Sequence, residues 1–246
     1  MPRGHDGIST RYLKIMRKPL AYVITRLVNL SFQTGEFPAN WKIARIMPLF
    51  KGGDRFDPKC YRPVAILSAA SKIPERIVMM RLQEHMESKR LYIDTQHGYR
   101  QNRSCSTAVL QLQEEILKDA EKSVDTALIF LDMSCAFDTI DHQTLLDKLK
   151  LYGMDSKTLK WFKSYLSDRY QYTEINGQRS SMQRIRFGVF QGSISGPFQF
   201  LIIINDIIVV VTELGCEVYV YADDSTVRYR LTGNLVEDQR KLDLIS

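Results

Sequence analysis

At 246 residues, with 44% hydrophobic and 25% charged side chains, the chain is long enough for one large domain or two lobes with a proper core, and its composition is that of a soluble globular protein rather than a disordered or fibrous one. The formal charge of +6 is uneven: residues 1–103 carry 19 Lys and Arg against 8 Asp and Glu (+11), and the remainder 15 against 20 (−5). A basic half joined to an acidic half suits a polyanion held by one and metal ions by the other, although chance asymmetry of a solvated surface would look the same.

The four cysteines (Cys60, Cys105, Cys135, Cys216) form no C-x-x-C pair and the four histidines (His5, His85, His97, His142) do not cluster, which argues against zinc. Free thiols in an intracellular protein, cytoplasmic or nuclear, are the simplest account. The polar N-terminus shows no signal peptide. The most apolar run, FLIIINDIIVVV (200–211), is interrupted by Asn205 and Asp206 and reads as too short to span a bilayer, so no membrane association is expected.

In chain order, residues 11–33 place apolar side chains at helical spacing, with a kink or fresh helix start expected at Pro19. ARIMPLFK and YRPVAIL, within residues 35–67, read as two strands flanking a basic loop. A helix is expected over 71–89, opened by Ser71 with Pro74 in its first turn, and another over 106–122. TALIFLD (126–132) is a continuous apolar run closed by a carboxylate, which fits a buried central strand. Helices follow at 142–151 and 156–168, then a hairpin over 170–187 with Asn176-Gly177 at its turn. Residues 197–211 are ambiguous, because their Ile and Val content favours strand and their length favours helix. Helices and strands mix without regular alternation, so the expected class is α+β.

VYVYADDSTV (218–227) poses the functional question, because a β-branched and aromatic strand ends on two adjacent carboxylates, Asp223 and Asp224. A solvated turn is one answer. A second apolar strand also ends on a carboxylate, Asp132. Two such strands finishing at the same edge of a sheet would gather three carboxylates, which cannot all stay ionised without cations. Oxygen-only ligands suit Mg²⁺ or Mn²⁺, and a pair of such ions suits in-line phosphoryl displacement.

Six blocks in order resemble the reverse-transcriptase domain of non-LTR (long interspersed, jockey-like) retrotransposons. GHDGIS (4–9) resembles the block that opens the domain. WKIARIMPLFKGGD with YRPVAIL (41–67) and QHGYRQNRSCSTA (96–108) are similar to the fingers blocks. FLDMSCAFDTIDH (130–142) is similar to the first palm motif, GVFQGSISGPFQFLIIINDI (188–207) to the following one, and YADD (221–224) to the catalytic turn.

The resemblance implies a right-hand polymerase with fingers mainly at 1–125 and palm mainly at 126–246, an RNA template, a DNA primer, dNTP and two Mg²⁺ or Mn²⁺ ions. It implies Asp132 and Asp223 as principal metal ligands, Asp224 as a less strict one, and the backbone carbonyl of Met133 facing a metal. Lys51 and Arg62 would hold the triphosphate. Phe137 would lie beneath the sugar and exclude a 2′-hydroxyl. Gln191 and Gly192 would line the nascent base pair, the glycine permitting close backbone approach.

Without the family, core packing is favoured for Phe137 and a solvated loop is an even choice for Lys51. Asp138 and Asp141 read as turn and helix N-cap residues. The resemblance also makes 197–211 a buried helix. The chain departs from the family at Cys135 (usually Lys), Phe190 (usually Pro), and Ser195 and Gln199 (usually Leu). It ends 22 residues after Asp224, where further palm strands, the primer-gripping hairpin and the thumb are expected, so it reads as a fragment or a decaying copy. The alternatives are a non-catalytic nucleic-acid-binding remnant and an intron-encoded or viral RNA-copying polymerase.

Overall fold

The computed structural model describes residues 3–133 and 137–245, so the departure at Cys135 lies outside the described residues. The chain forms two compact units, one built from residues 1–82 and 137–199, the other from 83–136 and 200–246. The fold is mixed α and β.

The first unit opens with α1 (Thr10–Ile15) and α2 (Arg17–Thr34). The break expected at Pro19 falls instead at Met16, which leaves Pro19 in the first turn of α2, where a missing N–H is of no consequence. Strands β1 (Ile43–Phe50) and β2 (Tyr61–Ile66) pair antiparallel with Arg45 opposite Ile66 and Phe50 opposite Tyr61. After α5 (His142–Leu151) and α6 (Ser156–Leu166), β4 (Arg169–Ile175) joins the other edge of β1 in parallel. Two short strands, β5 (Gln178–Arg179) and β6 (Gln183–Ile185), then fold back on β4.

The hairpin turn falls at Asn176-Gly177 as expected, with φ of 50° and 81°, the two positive values a type I′ turn needs. Asp141 caps α5, its Oδ1 accepting from the Thr144 N–H at 2.7 Å. Ala44, Ile46, Ala65, Leu67 and Phe190 form one buried cluster of this unit. A second gathers Phe37, Trp161, Phe162 and Tyr165, with the Trp161 indole donating to Ser31 Oγ at 3.0 Å so that its polar end is not stranded.

The second unit holds a three-stranded antiparallel sheet in the order β3-β8-β7, from β3 (Thr126–Asp132), β7 (Glu217–Tyr221) and β8 (Asp224–Arg230). Helix α4 (Cys105–Glu121) begins with a capping box in which Ser104 and Thr107 each accept from the other's backbone N–H. Arg228 of β8, 1% exposed at its side chain, pairs with Asp119 of α4 and at 2.5 Å with Glu217 of β7, while Arg230 reaches Asp119 at 2.8 Å. The unit closes with α8 (Leu235–Ile245), where Asp238 accepts from the Thr232 N–H and the Tyr229 hydroxyl.

Two helices run from one unit into the other, α3 (Lys72–Ser88) and α7 (Gly196–Glu213). The ambiguity at 197–211 therefore resolves as helix. Propensity favours strand there, but Leu201, Ile202, Ile204 and Ile208 are all buried, and a helix apolar around most of its circumference is stable when enclosed. The run is not too short to cross a membrane: α7 has 18 residues and meets that requirement by length and composition, while more than half of it is buried in the fold like a core helix.

Candidate active site

The antiparallel register of β3 and β8 sets Asp132 directly opposite Asp224. Cross-strand partners project to the same face with their Cβ atoms about 5 Å apart, and like charges placed so repel. Both aspartates are exposed at the end of the sheet. Asp223 stands beside them in the two-residue turn between β7 and β8, whose register pairs Tyr221 with Asp224. Ala222, the first turn residue, has a left-handed φ of 59°. Only the first central residue of this turn has positive φ, the pattern of a type II′ turn, where glycine is preferred and alanine is strained.

Among the described residues, no three His, Cys, Asp or Glu side chains converge closely enough to enclose an ion. The donor set nonetheless fits one: two like-charged carboxylates in register, a third one residue away, all oxygen donors. Met133, half-buried, follows Asp132 directly.

Sequence reasoning passed over two neighbours of these aspartates. Tyr99, at a left-handed φ of 56°, has its phenol pKa pushed up by burial and then by the negative charges of Asp223 and Tyr221, which places it beside the turn. Phe130 lies two residues before Asp132, on the same face by strand alternation, and is 75% exposed. An exposed phenylalanine one pleat from a carboxylate is a signal visible in the FLD triplet.

Lys51, Arg62, Phe137, Gln191 and Gly192 belong to the other unit. Lys51 and Arg62 are exposed at the loop end of the β1–β2 hairpin, where the Lys51 N–H donates to the Cys60 carbonyl at 2.9 Å and Arg62 stands opposite Leu49. Phe137 is half-buried, and its carbonyl accepts from the Val189 N–H at 2.8 Å. Gln191 hydrogen-bonds Asp138, whose carboxyl is pushed up by burial against that bond. The Gln191 carbonyl accepts from the Ala65 N–H at 2.8 Å. Gly192 has φ of 122°, and a Cβ there would lie 2.5 Å from the Ala65 carbonyl oxygen. The close approach that requires this glycine is thus to β2 of the same chain.

The loop from Gly188 to Ser195 has a second anchor that sequence reasoning missed. Glu75, fully buried, accepts from the backbone N–H groups of Ile194 at 2.8 Å and Ser195 at 3.4 Å, just before α7 begins. Burial raises its pKa, against the charge of Arg169, those two N–H groups and Lys72. Phe190, in the position the family gives to proline, is buried with its ring 4.6 Å from the Arg169 guanidinium, which also lies 4.4 Å from Tyr165. A cavity of about 500 Å³ opens beside this loop, its lining including Pro63, Ala65, Asp138, Arg169 and Gln191.

The structure is similar to that of apo telomerase from Candida tropicalis truncated from its C-terminal domain, with a TM-score of 0.59 at 13% identity, over 82% of this chain and 46% of that one. Residues 51–242 match the reverse transcriptase (RNA-dependent DNA polymerase) family, and the chain belongs to that family.

Three Drosophila melanogaster relatives bear out the jockey-like resemblance. The chain is 31% identical to the probable RNA-directed DNA polymerase from transposon BS, over 83% of this chain and 22% of that protein. It is 28% identical to the RNA-directed DNA polymerase from mobile element jockey, over 91% and 25% respectively. It is 27% identical to the putative 115 kDa protein in type-1 retrotransposable element R1DM, over 99% and 23%. The chain thus spans about a quarter of the length of these relatives.

Proposed function

We propose that this chain adds dNMP to the 3′-hydroxyl of a DNA primer on an RNA template, as the polymerase core of a non-LTR retroelement. The observation that carries the reading is the in-register pair Asp132 and Asp224 with Asp223 in the adjoining turn. In the reaction, the primer 3′-oxygen bonds to the α-phosphorus of the dNTP, the bond to the bridging oxygen breaks, and pyrophosphate leaves. The 3′-hydroxyl proton passes to solvent. Two divalent ions, when bound, neutralise the developing charge and align the two oxygens. Asp132, Asp223 and Asp224 would hold them, with the Met133 carbonyl as a further donor.

The other unit would handle the nucleotide. Lys51 and Arg62 are exposed and available to the triphosphate, and Phe137 would discriminate the sugar. Gln191 and Gly192, fixed against β2 through Ala65, would present a set surface to the nascent pair. The proposed split into fingers mainly at 1–125 and palm mainly at 126–246 cuts across this grouping, which sets Phe137, Gln191 and Gly192 with Lys51 and Arg62.

The test is primer extension on RNA and DNA templates with Mg²⁺ and Mn²⁺. Asp132→Asn or Asp223→Asn should abolish incorporation while leaving nucleic-acid binding almost intact, because phosphate contacts come from the basic half. Near-normal extension by Asp223→Asn would sink the assignment. Salt-sensitive binding by the wild-type chain with no incorporation under either metal would instead support a binding remnant.

A further inference from the structure

The Tyr221–Asp224 turn is held from outside the hairpin by a segment with no assigned role. The Val220 N–H donates to the Thr95 carbonyl at 3.0 Å, and the Val220 carbonyl accepts from the N–H groups of His97 at 2.8 Å and Gly98 at 3.3 Å. Gln96 and Val220 form a parallel bridge, so residues 95–98 add a rung to the outer edge of β7.

The segment is itself fixed at both ends. His97, 1% exposed, has Nδ1 2.8 Å from Thr107 Oγ1 and Nε2 2.8 Å from Gln111 Oε1, both on α4. Arg100 donates through Nε and Nη2 to the Glu87 carboxylate at 2.9 and 2.8 Å. Its Nη1 donates to the Ile93 and Gln96 carbonyls at 3.1 Å each, and its guanidinium lies over the Tyr92 ring at 4.7 Å.

Gly98 is where this support meets the turn. A Cβ at position 98 would run into the Ala222 amide nitrogen and lie 3.1 Å from Ala222 Cα and 3.2 Å from the Tyr221 carbonyl carbon. All three are backbone atoms, which cannot swing aside as a flexible side chain would. Ala222 itself is in the left-handed region, a conformation an alanine keeps only where its surroundings fix it.

We propose that the Thr95–Tyr99 segment is a strut that fixes the Ala222 turn, and that Gly98 is a positioning residue for Asp223. The inference rests on the reading of Asp132, Asp223 and Asp224 as cation ligands. Gly98 touches no reacting atom. Its absent side chain lets the strut lie against the turn, and the strut keeps Asp223 where its carboxylate can share an ion with the other two.

The experiment titrates the full chain with Tb³⁺ alone and reads its luminescence, sensitised by Tyr99 and Tyr221. Wild type should bind, and Asp223→Asn should lose the signal. Gly98→Ala should bind at least about tenfold more weakly, the scale expected when support behind a ligand is removed, with circular dichroism unchanged. Gly177→Ala is the control for strain alone, since that glycine has φ of 81° with nothing within 4 Å of its Cβ position, in the other unit. It should leave Tb³⁺ binding at the wild-type level.

Should Gly98→Ala fail to fold, Gln111→Leu removes one anchor of His97 without touching the turn and should weaken binding by about threefold, a smaller effect of the same kind. Wild-type affinity in a folded Gly98→Ala, or in Gln111→Leu where that variant is needed, overturns the strut. If wild type and Asp223→Asn bind Tb³⁺ alike, or neither binds, the reading of the aspartates fails and the strut falls with it. When only the strut fails, Asp223→Asn still differs from wild type, so the two failures are told apart.

Discussion

Glu75 and Asp119 are both buried carboxylates, one in each unit, and their charges are compensated in opposite ways. Asp119 meets two arginines, Arg228 and Arg230, and accepts from the Thr126 hydroxyl at 3.0 Å. Burial opposes its charge, but Thr126, Arg228 and Arg230 outweigh burial and hold its carboxyl below the usual range. Glu75 accepts mainly from neutral backbone donors, and burial wins, so its carboxyl sits above that range. The sheet that carries Asp132 and Asp224 is therefore braced by carboxylates whose ionised form is favoured, whereas the loop that carries Gln191 and Gly192 hangs from one whose protonated form is favoured.

Removing the brace should have the largest effect. Arg228→Met leaves Glu217 and one side of Asp119 uncompensated, and breaking a buried pair of this kind costs about 3 kcal/mol or more. Chemical denaturation should show that loss, and hydrogen exchange should locate it in β7 and β8. Exchange that quickens only in the 188–195 loop would reverse the comparison.

Glu75→Ala should cost less, about 1–3 kcal/mol, because the half-buried Ile194 N–H and the buried Ser195 N–H lose their acceptor. Its exchange signature should appear at Ile194 and Ser195 and spare the sheet. Gly192→Ala strains the same loop at φ of 122° and forces it off the Ala65 carbonyl, with an expected cost of about 1–3 kcal/mol. Primer extension should fall with it if the loop faces the nascent pair.

The smallest effect is on pH dependence, and its sign is opposite for the two carboxylates. With its folded pKa raised, Glu75 binds a proton more readily in the native state. Its contribution to stability is full below the ordinary carboxylate pKa and is lost as pH rises through the raised folded value. Glu75→Gln should therefore flatten the decline in stability above the usual carboxylate range. Asp119, with its pKa lowered, contributes fully above its unfolded pKa and loses that contribution as pH falls through the folded one. Asp119→Asn should thus remove stability at neutral pH and make acid less damaging. Melting temperatures of both variants across pH 3–8 check the signs, and parallel curves for the two would erase the distinction.

The chemistry-bearing segments were legible in sequence because each depends on a local signal. An apolar run closed by Asp132, a β-branched strand running up to Asp223 and Asp224, and Asn176-Gly177 at a hairpin turn all act within a few residues, and strands and turn form there. The run 126–132 is an edge strand with no buried residue rather than the buried central strand expected, and β7 stops at Tyr221 so that Asp224 opens β8. The fresh helix start was expected three residues late, at Pro19, because proline disfavours helix interiors but is at ease in a first turn.

What neighbouring residues cannot encode was decided by the tertiary structure. Residues 197–211 carry strand propensity and became helix because enclosure of an apolar surface outweighs a preference of a few tenths of a kcal/mol per residue. Glu75 gave no sign in sequence that it would end at Ile194, 119 positions away, since a helical glutamate is ordinarily solvated. Gly98 read only as a glycine, and Gly192 as one that a base pair would approach, until the backbones of Ala222 and Ala65 were set against them. Local patterning determined which strands end in carboxylates. Long-range packing determined register, and register is what puts Asp132 opposite Asp224.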